Sequence, residues 1–139
     1  MTPIEYEFID RLNEAQIDQL MALYRNEWWT KERKLEDVRR MLAHTDFIFA
    51  ICEKESRRLV AFTRVLSDRV YKALLFDVIV APEHREHKLG RALMNAVLNH
   101  PELKKVRHFE LYCLPELEPF YEQWGFSKEE GGVHVMRKA

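Results

Sequence analysis

Phe76-Asp77-Val78-Ile79-Val80-Ala81-Pro82-Glu83-His84-Arg85-Glu86-His87-Lys88-Leu89-Gly90-Arg91-Ala92-Leu93 is the stretch whose reading settles the fold class. An apolar, β-branched run passes through Pro82 into a loop dense in charge. The loop then enters a helical pattern in which Leu89, Ala92, Leu93, Ala96 and Val97 form one stripe. A buried strand feeding a helix predicts a parallel crossover connection. The junction also has a chemical consequence. N–H groups in the first turn of a helix lack intrahelical partners and carry partial positive charge, so the helix start is suited to an anion such as a pyrophosphate. Arg85, Lys88 and Arg91 add charge there, and Gly90 removes a side chain where a ligand would approach the backbone. A solvated helix start, with Gly90 serving only close packing against the sheet, accounts for the same residues.

On the amino-terminal side, residues 4–9 read as a strand and Asn13 as the cap of a helix carrying Ile17, Leu20, Met21, Tyr24 and Trp28 on one face. A second helix is expected over residues 35–43, where Leu35, Val38 and Leu42 share a face and Glu36 and Asp37 favour the positive end. Residues 47–52, 59–66 and 74–80 are three apolar runs joined by polar turns at residues 54–58 and 67–69, which predicts a meander. On the carboxyl-terminal side, residues 106–113 read as a strand. Pro115 suits the first position of a helix through Trp124, which Gly125 stops, and residues 133–137 are expected to close the sheet. The expected fold class is α/β (α+β). It comprises a single domain over residues 1–139, with a mixed, mostly antiparallel twisted sheet of about six or seven strands flanked by about four helices.

Bulk properties restrict the function. A chain of 139 residues can bury roughly two thirds of the surface its unfolded form exposes, so it needs no disulfide or metal to fold. The 22 Lys and Arg residues against 23 Asp and Glu leave a net charge of -1, which provides no electrostatic drive toward nucleic acid or an anionic membrane. The amino-terminal residues lack the basic start and apolar stretch of a secretory signal, and a cytoplasmic location is expected. Cys52 and Cys113 are read as buried reduced thiols. No Cys or His spacing matches a metal site, the pair His84 and His87 included.

The order of elements resembles the GNAT superfamily of acyl-CoA-dependent N-acetyltransferases over nearly the whole chain. So do two motifs: Val80-Ala81-Pro82-Glu83-His84-Arg85 leading into Leu89-Gly90-Arg91-Ala92-Leu93, and Phe120-Tyr121-Glu122-Gln123-Trp124-Gly125-Phe126. The family's pyrophosphate loop, Gln/Arg-x-x-Gly-x-Gly/Ala, aligns with Arg85-Glu86-His87-Lys88-Leu89-Gly90. Lys88 replaces the first glycine, adding a Cβ and a cation. The resemblance implies acetyl-CoA as co-substrate, with no metal. It implies contacts from the main chain of Val78, Ile79 and Val80, from Arg85, Glu86, His87, Lys88, Leu89, Gly90, Arg91 and Ala92, and from Tyr121. It further implies direct attack of an unprotonated amine on the thioester, with a backbone N–H near Val78 or Ile79 facing the developing oxyanion.

Tyr121 matches the family's general acid for the departing thiolate; packing of an amphipathic helix is the alternative. Asp77 is the one ionisable residue in its apolar run, and an unpaired carboxylate is costly to bury. It is expected to act as general base with a raised pKa or through waters, or else to form an ion pair, with Arg64 as partner. Trp28, Trp29, Arg64 and Tyr112 are candidate acceptor contacts. Cys113 is not expected to be a nucleophile, since no histidine is placed to activate it. The expected partner is a small-molecule amine, with neither nucleic acid nor membrane, and the protein is expected to be a monomer or homodimer. A non-catalytic acyl-CoA-binding domain of the same fold is the competing function, and a nucleic-acid module using the basic loop is a weaker one.

Overall fold

The computed structural model describes residues 3–128 and 131–139. Its element order is β1 (Tyr6–Ile9), α1 (Glu14–Arg25), α2 (Leu35–Ala43), β2 (Phe47–Glu53), β3 (Leu59–Ser67), β4 (Lys72–Val80), α3 (Leu89–Asn99), β5 (His108–Leu111) and α4 (Glu118–Glu122). Single 3₁₀ segments, Pro82–His87 and Pro115–Leu117, precede α3 and α4. The sheet runs β1-β2-β3-β4-β5. Its first four strands pair antiparallel, and β4 pairs parallel with β5 after the crossover through α3.

Local chemistry accounts for most boundaries. Asn13 accepts the Gln16 N–H at 2.8 Å while the Gln16 side chain accepts the Asn13 N–H at 3.0 Å, which closes both ends of a capping box. Helix α1 stops at Arg25, short of the expected Trp28. A continuing helix would offer the Tyr24 carbonyl to Trp28. Instead that oxygen accepts from Glu27 N–H at 3.2 Å and from the hydroxyl of buried Thr30 at 2.8 Å. The helix expected over residues 115–124 likewise shortens to a 3₁₀ turn followed by α4, and Gly125, at φ +87°, ends it.

Among the described residues the sheet has five strands, where six or seven were expected. Residues 133–139 form no strand: Val133, Val135 and Met136 are exposed, and a strand needs a ladder partner to satisfy its amides. Helices cover both faces. Tyr24 of α1 meets Phe62 edge-on, whereas Phe47 and Phe49 meet His100 at the end of α3. Phe47 and Phe49 sit opposite Val65 and Thr63, which alternate with Phe62 and Arg64 along β3, so α1 and α3 lie on opposite faces. Tyr24, Phe62, Leu20, Leu59, Leu75, Leu93 and Met94 fill the space between.

Candidate active site

Strand β4 leaves its parallel partner halfway along. Pairing with β5 runs from Lys72 and His108 to Leu75 and Leu111 and ends there, while pairing with β3 continues to Val80 opposite Ala61. Between Phe76 and Ile79 the register against β3 slips by one residue, and Asp77 sits in the slip at φ +57°. This is a β-bulge with a non-glycine residue in the left-handed region, a conformation that costs about 1 kcal/mol or more and that the surroundings must enforce. Thr63 helps, donating its hydroxyl to Phe76 O at 2.8 Å.

The bulge decides which main-chain groups face the gap. Before it, Tyr71 O accepts from His108 N–H at 3.1 Å, so Tyr71, Ala73 and Leu75 face β5. After it, Ala81 N–H donates to Val60 O at 2.7 Å, so Ala81 and Ile79 face β3. Val78 and Val80 therefore present their N–H and C=O to the opened side, beyond the last β5 pairing. Of the two expected oxyanion donors, only Val78 is turned the right way. The extra residue at Asp77 is the cause.

The gap ends at the start of α3. Ala92 N–H donates to Lys88 O at 3.1 Å, so the amides of Leu89, Gly90 and Arg91 lie in the unpaired first turn. Lys88 occupies φ +58°, ψ +31° between the 3₁₀ turn and the helix. The residue that replaces glycine thus keeps the left-handed geometry a glycine would favour, at a strain of about 1 kcal/mol. A Cβ on Gly90 would lie 3.4 Å from the Phe120 ring and 3.9 Å from a Val80 methyl. Gly90 is where α3, β4 and α4 approach one another, which is the close-packing role. The cations diverge. Arg85 donates to Val80 O at 3.3 Å and meets Glu27 at 3.4 Å, and Arg91 donates to Gln123 at 2.7 Å. Glu86, His87 and Lys88 are exposed, while His84 is buried with its Nδ1 2.8 Å from the Tyr6 hydroxyl.

Asp77 is buried and surrounded. Its Oδ2 accepts from Tyr24 Oη at 2.9 Å, Arg33 Nη1 at 2.8 Å and Arg64 Nε at 2.8 Å, and its Oδ1 accepts from Arg33 Nη2 at 3.2 Å. Burial alone pushes the carboxyl up, but the hydrogen bonds and charges of Arg33 and Arg64 outweigh it and hold the group below the usual carboxylate range. The expected raised pKa is corrected, and the ion-pair alternative, with Arg64, is the arrangement found. Arg64 also stacks on Phe76 at 4.6 Å, so its guanidinium is engaged on two sides. Arg33 was missed in the sequence, where nothing distinguishes it among the charged residues 31–34. Tyr24 was read only as a helix-face residue. Burial first, and then Asp77, push its phenol up, which keeps it a donor.

Helix α4 packs beside α3: Phe120 lies over Gly90, and Trp124 Nε1 donates to Asn95 at 2.9 Å. Tyr121 is buried, edge-on to Phe120 and Phe126. Its phenol is pushed up to about 12, mostly by burial and then by the neighbouring Cys113 thiol, so it is protonated at neutral pH. Cys113 itself is exposed, against the expectation of a buried thiol; Cys52 is buried. Trp28 and Trp29 are both outside α1. They lie in the turns after α1, 67% and 40% exposed, and Tyr112 is exposed beyond β5. A groove of about 1070 Å³ lies elsewhere, walled by residues such as Asn13, Phe47 and His100, and none of the junction residues line it.

A family model described as the acetyltransferase (GNAT) domain matches residues 10–135. The chain is 29% identical over 120 residues to GCN5-related N-acetyltransferase 1, chloroplastic, of Arabidopsis thaliana, covering 86% of this chain and 60% of that protein. It is 31% identical over 106 residues to Serotonin N-acetyltransferase 2, chloroplastic, of Oryza sativa subsp. japonica, covering 75% and 53%. It thus spans little more than half the length of these two relatives. A GNAT-family crystal structure from Xanthomonas campestris pv. campestris aligns with a TM-score of 0.80 at 31% identity, covering 96% of this chain and 93% of that one.

Proposed function

The chain belongs to the GNAT acetyltransferase family, and we propose that it is an N-acetyltransferase that moves the acetyl group of acetyl-CoA to a primary amine of a small molecule, by direct attack in a ternary complex. The observation that carries this reading is the opened strand. Val78 and Val80 turn main-chain groups that no strand pairs into the gap between β4 and β5, the Val80 carbonyl there meeting only the Arg85 side chain, and the gap leads to the first-turn amides of α3. An elongated ligand with an amide-bearing arm and a pyrophosphate matches that order of donors and acceptors.

Acetyl-CoA would supply the activated acetyl thioester. The Val78 to Val80 main chain would hold its arm, and the amides of Leu89, Gly90 and Arg91, with Lys88, would hold its phosphates. Val78 N–H would donate to the carbonyl oxygen of the thioester. Tyr121 would donate its proton to the departing sulfur from the β5 side. Asp77, charged and saturated with donors, is a poor base. In this reading it fixes the bulge that turns Val78 toward the gap.

Calorimetric titration with CoA is expected to show saturable one-to-one binding. At a hundredfold excess over Kd, binding would stabilise the fold by about 2.7 kcal/mol in thermal unfolding. A folded protein that neither binds nor is stabilised would sink the reading. Thiol release from acetyl-CoA across an amine library then identifies the acceptor, and binding with no turnover on any amine would favour the non-catalytic reading.

A further inference from the structure

The segment joining α1 to α2 is tied to β4 at two points. Near its start, Glu27 Oε1 meets the Arg85 guanidinium at 3.4 Å, and Arg85 Nε donates to the last β4 carbonyl, that of Val80, at 3.3 Å. Near its end, Arg33 forks onto Asp77 at the bulge. Residues 28–32 therefore run alongside the Val78 and Ile79 stretch, in the opposite direction to the strand. Trp28 and Trp29 lie within that span and are exposed, and buried Thr30 anchors its middle to Tyr24 O at 2.8 Å. The segment tied to the end of this strand thus carries Glu27, two exposed tryptophans and a fixed turn.

Arg85 has two claimants. Its pair with Glu27 is long, with the Arg85 side chain 56% exposed, so the contact is weak. A phosphate carries more charge and takes a guanidinium in a two-pronged contact. We propose that Arg85 is a relay between the two substrates: cofactor phosphate draws its guanidinium away, and the released Glu27 carboxylate then holds the ammonium of the acceptor amine, with the Trp28 and Trp29 rings flanking it. Indole faces attract cations and cover apolar carbon, so an amine on an apolar or aromatic skeleton fits this segment. Without cofactor, the acceptor must displace Arg85 from Glu27; with cofactor it need not, so the two bind with positive coupling. The inference rests on the reading that cofactor phosphates bind at the β4–α3 junction.

Titration of the wild type, Glu27→Gln, Arg85→Gln and the double variant with CoA alone, at low salt, tests the relay without a known acceptor. Glu27→Gln is expected to tighten CoA about two- to fivefold, because Arg85 no longer has a competing partner. Arg85→Gln is expected to weaken CoA, and adding Glu27→Gln in that background is expected to change nothing. Equal tightening in both backgrounds would mean only that a negative charge had been removed, and would overturn the relay. So would unchanged or weaker CoA binding by Glu27→Gln while the wild type binds. A wild type that fails to bind CoA overturns the cofactor reading and the relay with it. With the amine the library identifies, Glu27→Gln is expected to raise the acceptor KM roughly tenfold or more, opposite in sign to its effect on CoA.

Discussion

Asp77→Ala is expected to lose about 3–5 kcal/mol of stability, because it strips the shared partner from Arg33, Arg64 and Tyr24 and leaves two guanidinium groups facing a small cavity. In a domain of this size that corresponds to a fall in Tm of roughly 10–20 °C. The loss should also be pH-dependent. Arg33 and Arg64 depress the folded-state pKa against the opposing effect of burial, so the stabilisation is fully present above the ordinary carboxylate range. It fades as pH falls from there through the lower folded value. The wild type should therefore show an acid limb that Asp77→Ala lacks, measured by urea unfolding between about pH 6 and 3. A loss below about 1 kcal/mol with an unchanged acid limb would mean that other contacts hold the bulge.

Tyr121→Phe is expected to lower turnover roughly ten- to a thousandfold while leaving CoA affinity and Tm nearly unchanged. The ring stays packed against Phe120 and Phe126, and only the hydroxyl, which in the proposed role would act mainly in the transition state, is lost. With its pKa near 12, the phenol remains a proton donor across the neutral and mildly alkaline range. A basic limb in the rate profile at pH 8–9 would belong to another group and should persist in the variant. Unchanged turnover at saturating acetyl-CoA, with chemistry shown to limit the rate, would remove Tyr121 as the acid and leave water or the substrate to protonate the sulfur.

The elements were legible where their causes are local. Apolar residues recurring every second or every third and fourth position place β2, β3, β4, α1, α2 and α3, and Asn13, Pro82, Pro115 and Gly125 mark boundaries through chemistry confined to one turn. The same pattern overreached at Trp28, because the group that ends α1 there is Thr30, a hydroxyl from beyond the helix whose reach no periodicity encodes. It overreached again at residues 133–137. Their alternation suits a strand, but a strand forms only where an edge offers it a ladder.

By itself the sequence determined that Asp77 must meet a partner, water or a cleft, that the junction after Val80 suits an anion, and that Phe120 and Tyr121 belong to a recognisable second motif. Arg64 was already a candidate partner, and the tertiary structure decided for it and added the partners that the sequence did not name. Asp77 meets Arg33 from 44 residues away, Glu27 meets Arg85 from 58, and Phe120 closes over Gly90. It also decided that one inserted residue in β4 turns Val78, and not Ile79, toward the gap. The physical reason is common to all of these. Propensity and periodicity act over a few residues, whereas the choice of an ion partner, or of the side to which an amide points, depends on packing of one element over another, and many charged residues with no local distinction are available to be chosen.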